Sequence, residues 1–194
     1  MILEGIVTTL NADGSVNISP MGPQVDDGMH CLVLKPYQTS TTFQNLKRTG
    51  EGVFHVTDDV ELIAQAAVGA PDPLPALEPA RGVTGKIISG ACRWYALRVR
   101  SLDDSQERTE IVCDVVDRGH LRDFVGLNRA KHAVLEAAIL ATRIEFLPAD
   151  DIRTQLERLR PLVDKTGGAA EQRAFAFLTD FVRDKLAAQG HNEN

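Results

Sequence analysis

The chain of 194 residues has few of the features that mark several common classes of protein. Its three cysteines lie far apart and form no CxxC pair, so we expect reduced thiols and no zinc site. No apolar run is long enough to span a membrane, and residues 1–5 lack the basic and apolar regions of a signal peptide. These absences predict a cytoplasmic protein with no membrane partner.

Positive charge is also scarce. The sequence has 21 Lys and Arg against 27 Asp and Glu, a net charge of −6. Because nucleic-acid-binding proteins usually carry a basic patch or stripe, this balance disfavours a nucleic-acid partner. A GxGxxG turn after a strand, a GxSxG elbow and a histidine pair with zinc-ligand spacing are all missing, so Rossmann, hydrolase and zinc sites have no support.

The most informative stretch that is present covers residues 34–57. A short apolar strand is followed by four consecutive hydroxyl residues, Thr39, Ser40, Thr41 and Thr42, which open a helix predicted to run to Thr49. Capping of the helix is enough to explain one hydroxyl residue at this place. Four exceed what capping needs, and the backbone N–H groups of a helix start, with the helix dipole, attract anions. The pattern therefore indicates an anion-binding helix terminus.

Alternating residues and turn signals predict a mainly antiparallel sheet. Residues 2–10 and 15–19 form a hairpin pattern, and further strands are predicted at residues 29–35, 52–57, 91–102 and 107–117. After residue 19 the chain runs into Pro20-Met21-Gly22-Pro23, which should interrupt regular pairing. We expect this segment to be a sheet edge, although a bent strand that offers its backbone to a ligand is the alternative.

Helical patterns occupy most of the rest of the chain. Asp58 and Asp59 cap a helix, and a proline-rich loop follows at residues 69–81. The segment 127–140 is apolar around most of its circumference, which is typical of a helix buried on more than one side. Residues 141–147 read as a strand, or as a continuation of that helix. Two final helices follow, the first ended or kinked by Pro161.

Two polar features remain open to more than one interpretation. Arg129, His132 and Glu136 form one stripe along the helix at residues 127–140, and we favour a structural network over a site for them. His55 alternates with apolar strand residues, so it either faces a ligand or is a hydrogen-bonded core histidine.

The combination resembles the FMN-binding split β-barrel superfamily, which includes flavin reductases and pyridoxamine-phosphate-oxidase-like proteins. The likeness lies in residues 17–22 at the end of the first hairpin, in the strand ending at Lys35, and in Thr42-Phe43-Gln44-Asn45-Leu46 followed by Gly50. The segments 128–143 and 161–168 resemble a narrower archaeal and bacterial split-barrel family of unknown function.

This resemblance implies an α+β fold, an antiparallel split β-barrel with peripheral helices and a C-terminal helical segment. We accordingly expect a split-barrel FMN-binding domain at residues 1–147. A C-terminal helical extension packed on it would occupy residues 148–190, and a disordered tail residues 191–194.

The resemblance also implies a position for FMN. The hydroxyl and N–H groups of residues 39–42 would hold the phosphate, and Lys35 would offset its charge. Asn45 would pin the loop or reach the ribityl chain. The isoalloxazine ring would be bordered by four residues at the end of the first hairpin, with backbone N–H groups aimed at its polar edge: Ser19, Pro20, Met21 and Gly22. No run of basic residues surrounds the phosphate position, which disfavours pyridoxamine phosphate as a substrate.

The function implied is that of a homodimeric FMN-dependent oxidoreductase of the flavin reductase type, with a small-molecule electron donor or acceptor. The helix at residues 127–140 is an independent reason to expect a dimer, since a doubly buried helix needs a second surface. Because flavin itself accepts hydride, no catalytic side chain is required, and His55 and His132 are only candidate proton donors. The alternatives are a non-catalytic FMN-binding module and a flavin-free dimeric interaction protein.

Overall fold

The computed structural model describes residues 1–191, which form nine strands and five helices. Contacts group the chain into two units. Unit 1 comprises residues 1–58 and 72–124, and unit 2 comprises residues 59–71 and those from 125 onward. The boundary predicted at residue 147 remains a prediction. The last helix reaches His191, and residues 192–194 of the expected tail lie outside the described residues.

Unit 1 is an antiparallel sheet protein with one helix, α1 (Thr41–Thr49). Seven strands form one sheet in the order β2-β1-β5-β8-β9-β4-β3, and β6 pairs with β7 in a separate hairpin. The strands are β1 (Gly5–Leu10), β2 (Val16–Met21), β3 (Gln24–Val25), β4 (Cys31–Leu34), β5 (Glu51–Val56), β6 (Leu77–Pro79), β7 (Lys86–Ile88), β8 (Arg93–Asp103) and β9 (Glu110–His120).

The sheet curls because its far end pairs with the start of the chain. Ile2 bridges Gln24, the Leu3 N–H donates to the Pro23 carbonyl at 3.1 Å, and the Val25 N–H donates to the Met1 carbonyl at 2.9 Å. Strand β2 stays outside this closure, as the edge strand beside β1. The predicted fold class, an α+β antiparallel split barrel, is therefore confirmed.

The interior of the curled sheet holds the main core. Helix α1 contributes Phe43 and Leu46 to it, which explains why apolar residues recur at helical spacing after the four hydroxyls. The sheet supplies the other buried members: Val7, Val25, Leu32, Leu34, Phe54, Tyr95, Leu97, Ile111 and Cys113. Burial raises the pKa of the Cys113 thiol to about 12, so it stays protonated at neutral pH.

A second, smaller cluster lies under the β6–β7 hairpin, which falls partly within the predicted proline-rich loop. It contains Val53, Ile87, Trp94 and Ala96. Gly119 on β9 lies against the indole ring of Trp94, where an added Cβ would be 2.4 Å from Nε1. Glycine at this position therefore permits the close packing of β9 against the tryptophan.

Unit 2 is helical and comprises α2 (Val60–Val68), α3 (Arg129–Ala141), α4 (Ala149–Thr166) and α5 (Ala169–His191). Helix α3 packs against the other three helices, which covers the apolar faces that the sequence showed. The strand predicted at residues 141–147 is wrong, because α3 ends at Ala141 and turns follow it. Helix α4 continues through Pro161, which therefore does not end it.

A polar corner joins three of these helices. The Asn128 Oδ1 caps α3 by accepting from the N–H groups of Ala130 and Lys131 at 2.8 and 3.1 Å, and its Nδ2 donates to the Thr166 carbonyl at 3.1 Å. Glu171 accepts from the Gly168 N–H and pairs with Lys131, both at 2.8 Å. Among residues 1–191, none of the helices combines the length and the apolarity needed to cross a membrane.

Candidate functional site

The start of α1 has the geometry of an anion site. Ser40 is the N-cap, and its Oγ accepts from the Phe43 N–H at 3.2 Å and donates to the Tyr37 carbonyl at 2.8 Å. The first intrahelical bond runs from the Gln44 N–H to the Ser40 carbonyl. Within the described chain, the N–H groups of Thr41 and Thr42 meet no acceptor, and they lie at the positive end of the helix dipole.

Of the four predicted hydroxyl side chains, two make hydrogen bonds within residues 1–191 and two do not. Thr39 and Thr41 are exposed, and within residues 1–191 neither makes a side-chain hydrogen bond. Ser40 is half-buried and used as the cap. Thr42 is only 1% exposed, and its Oγ1 accepts from Asn17 Nδ2 at 3.0 Å. The Thr42 side chain therefore faces the first hairpin, while its backbone N–H still belongs to the helix start.

Asn45 extends this contact between α1 and the hairpin. It is 5% exposed, and its Nδ2 donates to Thr9 Oγ1 at 3.0 Å and to Asn11 Oδ1 at 2.8 Å. Asn17 Nδ2 also donates to Thr9 Oγ1, at 3.2 Å. Since buried amide groups need partners, these bonds satisfy Asn45 and pin the helix to strand β1 and the turn after it.

Two cationic side chains lie near the segment that leads into α1. The Lys35 ammonium pairs with the Glu110 carboxylate at 3.0 Å. The Arg108 guanidinium lies 5.1 Å from the centroid of the Tyr37 ring, and its Nε donates to the Lys35 carbonyl at 3.2 Å. The sequence did not point to Arg108, because it reaches this segment only through the pairing of β9 with β4 and the bridge between residues 37 and 108.

The predicted ring-binding segment lies at the end of edge strand β2. Contrary to the expectation that Pro20 and Gly22 interrupt pairing, β2 remains paired with β1 as far as Met21, and Pro20 lies opposite Ile6. The Asn11 N–H donates to the Ser15 carbonyl, so the alternation of an antiparallel ladder places Ser19 and Met21 in hydrogen-bonded pairs. Pro20 then lies where its missing N–H would face away from β1, the position that proline tolerates.

This register limits which backbone groups the segment can offer. The N–H groups of Ser19 and Met21 face β1, and Pro20 has none. Gly22 follows the strand, and its N–H has no acceptor among residues 1–191. A Cβ at Gly22 would lie 2.8 Å from the carboxylate of the exposed Glu4 side chain, so a larger residue here would have to displace that side chain.

The two histidines considered as proton donors lie in different environments. His55 is fully buried; its Nε2 accepts from the Ile88 N–H at 3.1 Å, so Nδ1 carries the hydrogen and contacts the Ile6 carbonyl at 3.2 Å. Burial lowers the pKa of His55 to about 4, so it is a neutral link between strands. His132 is 62% exposed and lies 4.0 Å from Glu136, which makes the predicted stripe a surface pair.

Two depressions lie away from the predicted site residues. One of about 250 Å³ in unit 1 is lined by His30 and residues 115–118. The other, of about 350 Å³ in unit 2, lies among the ends of α2, α3 and α5. The features found at the α1 start are thus two N–H groups and exposed hydroxyls, with Lys35 on the segment before it and Arg108 in contact with that segment, a donor set suited to a phosphate.

Solved structures share this fold. An FMN-bound protein from Methanosarcina mazei, MM1853, aligns over 93% of this chain and 94% of its own, with 21% identity and a TM-score of 0.78. An FMN-binding protein from Thermus thermophilus with bound 1-cyclohex-2-enone aligns over 61% and 70%, with 12% identity and a TM-score of 0.53. The styrene monooxygenase flavin reductase of Pseudomonas putida aligns over 61% and 79%, with 14% identity and a TM-score of 0.52.

These likenesses confirm the predicted split-barrel fold of flavin reductase-like proteins. A search of curated protein sequences gave no match. Two family descriptions match the chain itself: "Protein of unknown function (DUF447) N-terminal domain" over residues 3–122, and "Protein of unknown function (DUF447)" over residues 128–180. The FMN-bound Methanosarcina protein is assigned to the same family. The chain therefore belongs to the DUF447 family.

Proposed function

We propose that this chain binds FMN and acts as a homodimeric flavin-dependent oxidoreductase of the flavin reductase type. The observation that carries the proposal is the open N-terminus of α1, with its exposed hydroxyls, in a fold that matches an FMN-bound protein of the same family over 93% of the chain. Such a helix start is suited to the phosphate that distinguishes FMN from riboflavin.

The residues at the helix start fit a phosphate in both charge and hydrogen-bonding type. A phosphate accepts hydrogen bonds, and this place offers the N–H groups of Thr41 and Thr42 and the hydroxyls of Thr39 and Thr41. Arg108 and Lys35 would offset its charge. The side chains of Thr42 and Asn45 would act by holding α1 against the hairpin rather than by contacting FMN.

The ring would lie along the outer edge of β2. There the register leaves the Gly22 N–H and the backbone groups of Ile18 and the Pro20 carbonyl facing away from β1. When bound, the flavin supplies hydride acceptance, which no side chain of the chain can provide. The chain's own part is to hold the phosphate, to orient the ring and to present it to a small-molecule electron donor or acceptor.

The homodimer is proposed on different grounds from those that the sequence offered. Helix α3 is covered by the other helices of unit 2, so its apolar circumference no longer calls for a second copy. Unit 1 instead exposes aromatic side chains, with Tyr37 50% and Phe124 48% exposed. Aromatic side chains are enriched in protein–protein interfaces, which supports association through unit 1. A cytoplasmic location, also part of the proposal, is supported by the three unpaired cysteines.

The test is a titration of the purified chain with FMN and with riboflavin, followed by quenching of flavin fluorescence. We expect saturable binding with a clear preference for FMN, and a dimer by light scattering. Stopped-flow mixing of the loaded protein with NADH or NADPH should then bleach the flavin absorbance. Absence of binding would overturn the proposal, while binding without reduction by any donor would favour a non-catalytic FMN module.

A further inference from the structure

Asn17 is the side chain that joins the two halves of the proposed site. It lies on β2, two residues before Ser19, and its Nδ2 donates to Thr42 Oγ1 at 3.0 Å and to Thr9 Oγ1 at 3.2 Å. Both amide hydrogens are thus used. In the part of the chain that the structure describes, the bond to Thr42 is the only hydrogen bond between β2 and α1.

The two elements that this bond joins have separate tasks in the proposed function. The end of β2 would border the flavin ring, and the first turn of α1 would hold the phosphate. A ligand that spans both elements depends on their spacing, whereas a ligand that contacts only one does not. Riboflavin lacks the phosphate and would contact β2 alone.

The attachment of α1 to the sheet does not itself depend on Asn17. Asn45 bonds Thr9 and Asn11, and Phe43 and Leu46 pack in the core, so three further side chains anchor the helix. Asn17 is half-buried on an edge strand, where a smaller side chain is tolerated. Its loss should therefore change the spacing at the start of α1 more than it changes the fold.

We infer that Asn17 is a positioning residue that sets the distance between the ring-binding edge of β2 and the phosphate-binding start of α1, an inference that rests on the proposed function. It acts through Thr42 and touches neither the reacting part of the flavin nor its phosphate. Its measurable signature is the ratio of the affinities for FMN and riboflavin.

The experiment compares Asn17→Ala with Gln24→Ala, which removes an exposed amide on β3, the opposite edge strand of the sheet, that makes no side-chain hydrogen bond among residues 1–191. Asn17→Ala should lower the affinity ratio of FMN to riboflavin about fivefold, since one hydrogen bond between neutral groups is lost, and Gln24→Ala should leave the ratio unchanged. Thr42→Val, which removes the acceptor, should reproduce the effect of Asn17→Ala, and Thr42→Ser should restore the ratio.

The double variant Asn17→Ala with Thr42→Val should bind FMN no more weakly than either single variant, because both remove the same bond. If Asn17→Ala does not fold, the comparison of Thr42→Val with Thr42→Ser decides the outcome alone. Equal loss of FMN and riboflavin affinity, an equal effect of Gln24→Ala, or additive losses in the cycle would overturn the inference. A wild-type chain that binds neither flavin would instead overturn the proposed function.

Discussion

Thr41 offers a direct way to remove two of the proposed phosphate donors, its N–H and its hydroxyl, without disturbing the fold. It is the first residue of α1, it is exposed, and its N–H has no acceptor among residues 1–191. Proline is well tolerated at the first helical position, where no intrahelical bond uses the N–H. The preceding residue, Ser40, has φ −75° and ψ 144°, the extended conformation that a following proline requires.

Thr41→Pro should therefore fold normally and gain roughly 0.5 kcal/mol in the free energy of unfolding, because proline restricts the unfolded chain at a compatible site. It should bind FMN about 100-fold more weakly than the wild type, since it loses two charge-assisted hydrogen bonds that are each worth about 1.5 kcal/mol. Thr41→Ala keeps the N–H and should lose about tenfold. Thr41→Ser should bind like the wild type.

The assay is fluorescence titration of each variant with FMN and riboflavin, with thermal unfolding as the check on folding. Thr154→Ala, on the exposed face of α4, is the matched threonine control and should change neither affinity. Thr41 is excluded as a phosphate donor if Thr41→Pro binds FMN as tightly as the wild type, or if riboflavin binding falls by the same factor. Either result would show that the phosphate does not bind at the start of α1.

Three further predictions concern stability and charge. Because burial lowers the pKa of His55 from 6.5 to about 4, the unfolded state takes up a proton that the native state excludes. The free energy of unfolding is therefore highest above pH 6.5 and decreases as the pH falls towards 4. In this window the free energy of unfolding of the wild type should decrease by up to about 3 kcal/mol, and that of His55→Gln by much less. Urea unfolding at several pH values measures this. The same pH dependence of the free energy of unfolding in His55→Gln as in the wild type would contradict it. Arg108→Ala should weaken FMN about fivefold, reduce the salt dependence of binding and spare riboflavin, as titrations at two salt concentrations will show; unchanged FMN binding would exclude Arg108 from the site. Gly119→Ala should lower the melting temperature by about 3–8 °C through overpacking. Gly90→Ala, whose Cβ would meet no atom within 4 Å, should leave the melting temperature unchanged. A normal melting temperature for Gly119→Ala would show that the packing of β9 against Trp94 is looser than this contact indicates.

The start and end of α1 were predictable because their signals are local. Ser40 caps the helix, and Gly50 ends it in the left-handed conformation at φ 69°, which glycine adopts without strain. The hairpin of β1 and β2 was predictable for the same reason, from alternation around a short turn. Its extension through Pro20 was not, because proline is compatible with a strand only at an edge, and edge position is a property of the whole sheet.

The elements that the sequence did not reveal depend on distant partners. Strand β3 has two residues and exists because it pairs with β4 and with the first residues of the chain. Strands β6 and β7 have three residues each, within and after a proline-rich segment, and their hairpin covers Trp94. Helix α4 continues past Pro161 because packing within unit 2 outweighs the lost backbone hydrogen bond.

In the candidate site too, local features were predictable and long-range contacts were not. The hydroxyl residues and the helix start were visible in the sequence, since cap and dipole are local properties. The contacts of individual side chains were not predictable: Thr42 is turned towards Asn17, and Lys35 is paired with Glu110. Arg108 is 73 residues from Lys35 along the chain and reaches it through strand pairing. Side-chain direction and long-range register decide these roles, and neither can be read from spacing.

The most direct test of FMN binding at the start of α1 is the titration of the wild-type chain with FMN and riboflavin side by side. Phosphate binding at this place predicts saturable quenching by both flavins, a thermal shift with FMN, and an affinity for FMN at least about 100-fold higher, the value of the two charge-assisted hydrogen bonds from Thr41 to the phosphate. Quenching and thermal shift absent with FMN, or equal affinities for the two flavins, would contradict it.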